Sequence, residues 1–248
     1  MNDKISLAIP FYNTSKYFLR CIKYSLESDF VSEIVVNDDY STEEEWKNLN
    51  KIVESLNSNK IKLFRNKINL GGFENKYETI KKSTCEWVYL LDSDNYLDKN
   101  TLDVIGNISD LNEKICYSPG HIVMVGDDGF VHRDIVFDFP YEKIGLLESK
   151  QELENNKDNF GMFLNDGNCF INRKKYLDLV ENLPNNKEKT YAADCIAFQY
   201  YWMISGNYSK VIKEFKYFHL LRDDSYWMSC GSNSSIMFEY YVNLFKGV

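Results

Sequence analysis

The chain has 248 residues, of which 44% are hydrophobic and 27% charged, with a formal net charge of -8. That balance excludes a disordered chain and leaves room for one large α/β unit or two small ones. It also argues against a duplex nucleic-acid partner, because phosphate backbones are held by clustered Lys and Arg. No apolar run approaches the roughly 20 residues that cross a bilayer. The stretch 1–13 lacks a basic n-region and a small-residue cleavage site, so a cytosolic protein is expected. The six cysteines never reach a C-x-x-C spacing and read as reduced thiols, several of them in the core.

The first hundred residues alternate strand and helix signals, the pattern of a parallel sheet covered by helices. Ile5 to Pro10 is a short apolar run, followed by Asn13, Thr14 and Ser15 as candidate caps and by Phe18, Cys21, Ile22 and Leu26 at helical spacing. Ile34 to Val36 is a second strand. Ser41 with Glu44 three residues on forms a capping box, and Trp46, Leu49, Val53 and Leu56 make one apolar stripe. Ile61 to Phe64 is a third strand, and Phe73, Tyr77 and Ile80 lie on a third helix. Trp87 to Leu91 carries no charge, which predicts a central strand buried on both faces. Beyond it, a further helix is expected near Asn100 and Thr101. Strands are expected near Ile115 to Tyr117, Ile122 to Val125 and Cys169 to Ile171, and helices over about 192–204 and 235–245. With no repeat or low-complexity linker, the chain reads as one domain: a first half to about residue 98, a second to about 231, and a C-terminal helix over 232–248.

The chemistry gathers at the strand ends, where ligands bind in open α/β sheets. The first strand ends in Pro10, Phe11, Tyr12 and Asn13, the second in Asn37, Asp38 and Asp39. The third is followed by Asn69, Leu70, Gly71 and Gly72, the fourth by Asp92, Ser93, Asp94 and Asn95. Acidic groups gathered on one edge repel each other unless a cation or a set of donors sits among them. Asp92 and Asp94, two apart on an extended chain, face the same side and suit Mg²⁺ or Mn²⁺ carrying a diphosphate. The competing reading is a loop that caps the next helix. Gly71 and Gly72 open a helix whose free N–H groups could approach a phosphate, with Lys76 one turn in.

Taken together, P-F-Y-N at 10–13, D-D-Y-S-T at 38–42, N-L-G at 69–71 and L-L-D-S-D-N at 90–95 resemble family 2 of the inverting GT-A glycosyltransferases. The resemblance implies a Rossmann-like α/β fold and a nucleotide-diphospho-sugar donor, most often a uridine one. It places Pro10 and Tyr12 near the base, with Phe11 and Asn13 beside them in the same motif, and has Asp39 hydrogen-bonded to the base. Gly72 and Lys76 fall near the diphosphate, and Asp92, Ser93 and Asp94 at ribose and metal. Asp194, ahead of Trp202 and Gly206, resembles the position of the catalytic base, and Gly167 to Arg173 resemble the strand and helix of the acceptor side. His219, in F-H-L-L-R, sits where some members bring a histidine to the metal. Tyr40 stands in place of a usual glycine, Tyr77 where asparagine is common, and Ala193 where an acid often precedes the base.

The acceptor implied is a glycan, a lipid-linked group or a protein, in the cytoplasm or at a membrane periphery. His121 and His132 read as surface or core residues. Tyr226 and Trp227 could stack on a sugar, and Phe238, Tyr241, Leu244 and Phe245 read first as core. A sugar-1-phosphate nucleotidylyltransferase would need a Gly-rich basic loop after the first strand, and 10–16 has no glycine. A catalytically dead nucleotide-sugar binding protein would have lost the carboxylates, yet Asp94 and Asp194 are both present.

Overall fold

The computed structural model describes residues 4–183 and 191–247. Its first half follows the predicted alternation: β1 (Ile5–Phe11), α1 (Ser15–Glu27), β2 (Val31–Asp38), α2 (Glu43–Leu56), β3 (Ile61–Arg65), α3 (Gly72–Lys82) and β4 (Trp87–Leu90). The strands pair in parallel in the order β3-β2-β1-β4, so β1, β2 and β4 deliver their carboxyl ends to one edge. All four residues of β4 are buried, as an uncharged strand covered on both faces must be. Helix starts differ by a residue or two from the expected ones. Thr42, and not Ser41, caps α2, accepting from the Glu45 N–H at 3.3 Å. Ser41 is engaged elsewhere, its Oγ accepting from the Asn13 N–H at 2.9 Å.

The second half contains β5 (Tyr96–Leu97), α4 (Lys99–Gly106), β6 (Ile115–Val125), β7 (Val131–Val136), α5 (Leu146–Asn155), α6 (Lys157–Leu164), β8 (Cys169–Asn172), α7 (Arg173–Glu181), a 3₁₀ turn at Tyr191–Ala193, α8 (Asp194–Ile204), β9 (Tyr208–Leu220), α9 (Tyr226–Ser229) and α10 (Ser232–Lys246). Asp98 caps α4, accepting from the Thr101 N–H at 2.7 Å. The sheet continues past β4 as β8-β6-β9-β5, with β7 on β6. This part is mixed: β8 runs antiparallel to β4 and β6, β9 parallel to β6, and β5 antiparallel to β9. Two consequences fix the site. β8 enters the sheet at the edge where β4 leaves it, and β9 ends at that same edge.

The two strands expected at 115–117 and 122–125 are one, β6. Pro119 and Gly120 lie between the two, where a register shift opposite β9 absorbs them. β9 itself was illegible because Lys210, Lys213, Glu214 and Lys216 interrupt its apolar alternation and its burial is patchy. In α10, Tyr241 and Phe245 are buried and Phe238 and Leu244 pack on the core, while Ile236 and Tyr240 face outward. Among the described residues no helix is long and apolar enough to cross a membrane.

Gly120 marks where β6 and β9 touch most closely: a Cβ there would lie 2.7 Å from both the Ile212 carbonyl oxygen and the Lys213 Cα, which are main-chain atoms. Gly120→Ala is expected to cost about 1–3 kcal/mol through overpacking, seen as a lower melting temperature with unchanged far-UV circular dichroism. An unchanged melting temperature would show that the two strands can part there freely.

Candidate functional site

Three strand ends are tied into one polar network. Asn13 takes a left-handed conformation, φ 51°, which asparagine tolerates, and its Oδ1 accepts from the Thr42 N–H at 3.0 Å. Thr14 Oγ1 lies 2.7 Å from Ser93 Oγ, joining the β1 loop to the β4 loop. The Ser15 N–H donates to Glu45 Oε2 at 2.9 Å, which satisfies a free donor at the start of α1. Phe11 is buried and Tyr12 half exposed, so of that motif Tyr12 is the ring open to a ligand.

Asp39 is buried and organises the loop after β3. Its Oδ1 accepts from Asn66 Nδ2 and the Leu70 N–H, and its Oδ2 from the Gly71 N–H, each at 2.8 Å. Burial pushes its carboxyl above the usual range, and these three donors pull against that. The observed partners of Asp39 are thus its own loop. Beneath it, Asn37 Nδ2 donates to Asn75 Oδ1 at 2.7 Å and to Asn66 Oδ1 at 3.1 Å. Tyr40, in the glycine position of the motif, adopts φ 61°, the conformation that glycine would take without strain, and its ring lies 5.2 Å from the Arg65 guanidinium. Asp38 pairs with Arg65 at 3.0 Å.

The fourth strand end meets the second half of the chain. Asn168 Oδ1, just before β8, accepts from the Asp92 N–H at 3.1 Å. Lys76 Nζ reaches from α3 to Asp194 Oδ2 at 2.7 Å and lies 3.7 Å from Asp92 Oδ1. Asp194 is buried at the first turn of α8, where Ala193 holds the cap position, so its carboxylate does not cap the helix. Arg222, just past β9, pairs with Asp94 at 2.9 Å. Burial and then the Asp92 charge raise the Asp94 carboxyl above its usual range, with Arg222 and His219 opposing. Gly72 lies under Tyr226: a Cβ there would be 3.3 Å from the tyrosine ring and 3.8 Å from Asp194 Oδ2. Pro10, Tyr12, Asn13, Asp39, Gly72, Lys76, Asp92, Ser93, Asp94, Asp194 and His219 all belong to this one edge of the sheet.

Residues 6–180 match the family described as Glycosyl transferase family 2. The chain belongs to glycosyl transferase family 2. Over 108 residues this family member is 26% identical to glycosyltransferase GlyG of Streptococcus pneumoniae, covering 42% of the chain and 35% of that relative. Over 103 residues it is 32% identical to the poly(ribitol-phosphate) beta-N-acetylglucosaminyltransferase TarS of Staphylococcus aureus, covering 40% of the chain and 18% of TarS. The matched stretch is thus little more than a third of the first relative and less than a fifth of the second. Residues 1–349 of TarS, solved with UDP-GlcNAc, superpose with a TM-score of 0.67 at 21% identity, over 98% of this chain and 65% of that one. GalNAc-T7, solved with UDP, GalNAc and Mn²⁺, gives 0.60 at 17% identity, over 89% and 43%. These likenesses establish the GT-A fold for the family member.

Among the described residues no three His, Cys, Asp or Glu side chains converge closely enough to hold a metal ion. Asp92, Asp94 and His219 are therefore not a ready-made cage, because Arg222 draws one carboxylate and Lys76 stands near the other. The donor set still fits a hard divalent ion: Mg²⁺ and Mn²⁺ take one or two carboxylates and complete their shells with water and phosphate oxygens. Asp92 and Asp94 present their carboxylates at one strand end, where like charges repel unless a cation or donors sit among them.

Sequence reasoning missed several members of this site. Arg222 was read only as the end of F-H-L-L-R. Asp166 was not singled out: it lies just before β8, where its Oδ1 accepts from the Asn168 N–H and side chain at 3.0 and 2.9 Å and from Tyr217 Oη–H at 3.0 Å. Its Oδ2 is buried without a hydrogen-bond partner among the described residues. Burial dominates and raises its carboxyl to about 6, against those donors. Between about pH 4 and 6 the unfolded chain has released this proton while the folded chain keeps it, so stability falls as pH rises through that window. Asp166→Asn removes the penalty and is expected to raise stability by on the order of 1–3 kcal/mol at pH 7.5 and by nothing at pH 4. Melting temperatures of both proteins across that range check it, and a gain independent of pH would refute the assignment.

Proposed function

We propose that this chain transfers a sugar from a uridine diphosphate sugar to an acceptor hydroxyl, with inversion at the anomeric carbon. The observation that carries the reading is the placing of Asp194 across from Asp92 and Asp94 at one sheet edge, with Lys76 between them. TarS structures holding UDP or UDP-GlcNAc support the donor class. In this reading the base and ribose lie against Pro10, Tyr12 and the loop that Asp39 pins, and Asp92 and Ser93 border the ribose.

Inverting transfer needs a base beside the acceptor and opposite the leaving group. Asp194 takes the proton of the acceptor hydroxyl as that oxygen bonds to the anomeric carbon. The bond from that carbon to the diphosphate oxygen breaks, and its electron pair leaves with the diphosphate. Asp194 is carried by the first turn of α8, which packs on the core and fixes where its carboxylate sits. A Mg²⁺ or Mn²⁺ ion, held through Asp92 and Asp94 with His219 on the same side, would offset charge on the leaving diphosphate. The acceptor is a glycan, a lipid-linked group or a protein, met in the cytoplasm or at a membrane periphery.

A panel of nucleotide sugars, assayed for transfer and for donor hydrolysis with Mn²⁺, tests the donor class. Asp194→Asn is expected to lower kcat by about 10² to 10⁴-fold while UDP affinity, by calorimetry, stays near the wild-type value. Near-normal turnover in this variant would remove Asp194 from the mechanism. Retention of the donor's anomeric configuration, read by NMR of the product, would reject inversion. Asp94→Asn is expected to abolish metal-stimulated turnover with the fold intact, and wild-type activity in EDTA-treated buffer would reject the metal site.

A further inference from the structure

Lys76 is set where the family resemblance leads one to look for a diphosphate ligand, but its surroundings point elsewhere. Its ammonium has three N–H donors. Three partners surround it: Asp194 Oδ2 at 2.7 Å, Cys195 Sγ at 3.1 Å and Asp92 Oδ1 at 3.7 Å. The side chain is only 13% exposed. The cavity that borders it, lined by Phe73, Gly167, Tyr176, Asp194 and Phe198 among others, measures about 20 Å³.

Gly167 makes this placement possible. A Cβ on it would lie 2.9 Å from Lys76 Nζ, 2.9 Å from Cys195 Sγ and 3.2 Å from Asp92 Oδ2. The ammonium therefore passes over bare backbone at the entrance to β8, and any side chain at this position would displace it. Burial lowers the proton affinity of Lys76, but Asp194, Cys195 and Asp92 outweigh it, so the group stays cationic.

We infer that Lys76, seated over Gly167, is a positioning residue that holds the Asp194 carboxylate in place for the acceptor and is not a ligand of the diphosphate. The inference rests on the reading of Asp194 as the base. One cation touching the acceptor-side carboxylate and approaching the donor-side one sets their separation, and a displacement of about 1 Å in such a group can cost about 10²-fold in rate.

The test separates positioning from binding. In Lys76→Met, kcat at saturating donor and acceptor is expected to fall about 10²-fold, with the donor KM and the UDP dissociation constant within about threefold of wild type. In Gly167→Ala the ammonium is kept but shifted, and the same pattern is expected at smaller size. A UDP affinity at least tenfold weaker with kcat retained would overturn the inference. A readout free of turnover uses protein labelled with ¹⁵N-lysine, the Lys76 ammonium signal being assigned by its loss in Lys76→Arg. That signal is expected to move in Asp194→Asn and to stay in place when UDP is added, without a metal ion, to the wild-type protein. The opposite response would overturn the inference even if Lys76→Met does not fold. If the wild-type protein transfers no sugar from any donor, the transferase reading fails, while the lysine signal still decides which group Lys76 holds.

Discussion

Five carboxylates converge on one edge of the sheet, and their mutual repulsion is the constraint around which the site is arranged. Of these, Asp38, Asp92, Asp94 and Asp194 are each met by a cation from a distant part of the chain. Arg65 serves the first, Arg222 the third, and Lys76 the second and fourth. Buried carboxylates are tolerated only when paired or richly hydrogen-bonded, so this edge could not assemble before α3, α8 and the end of β9 came together. Acidic strand ends alone had suggested an external cation. The protein supplies three of its own: Arg65, Lys76 and Arg222.

Hydrogen bonds complete what charge begins. Asp39 uses its carboxylate to fix the turn into α3, and the Asn37, Asn66 and Asn75 amides fill the space beneath. In a buried setting each such group costs free energy unless it is satisfied, so these loops are held in one arrangement by their own hydrogen bonds. That arrangement explains how Tyr40 can occupy a left-handed position, since the ring stacks on Arg65 while the backbone is held by its neighbours.

The mixed half of the sheet is what gives this polar edge two sides. Because β8 runs against β4, Gly167 and Asn168 arrive beside Asp92. Because β9 runs with β6, its end carries His219 and Arg222 to the same edge, and the following segment lays Tyr226 over Gly72. Groups from the two halves thus meet across a short distance although more than a hundred positions separate Lys76 from Asp194 in the chain.

What the sequence determined by itself is the local part. Uncharged Trp87 to Leu91 had to be a central strand, the helical stripes of α1 and α2 had to face the sheet, and the motifs from Pro10 to Asn95 had to fall at strand ends. Each of these follows from periodicity and burial within a few turns of chain. The tertiary structure alone decided the pairings: Lys76 with Asp194, Arg222 with Asp94, and the buried Asp166 against Tyr217. None of them has a spacing to read, because ion pairs and backbone approaches over a bare glycine depend on strand direction and on which ends share an edge. β9 was hidden for a related reason. Its half-buried, charge-interrupted residues are held by β6 and β5 beside it, and a strand stabilised by its neighbours carries little signal of its own.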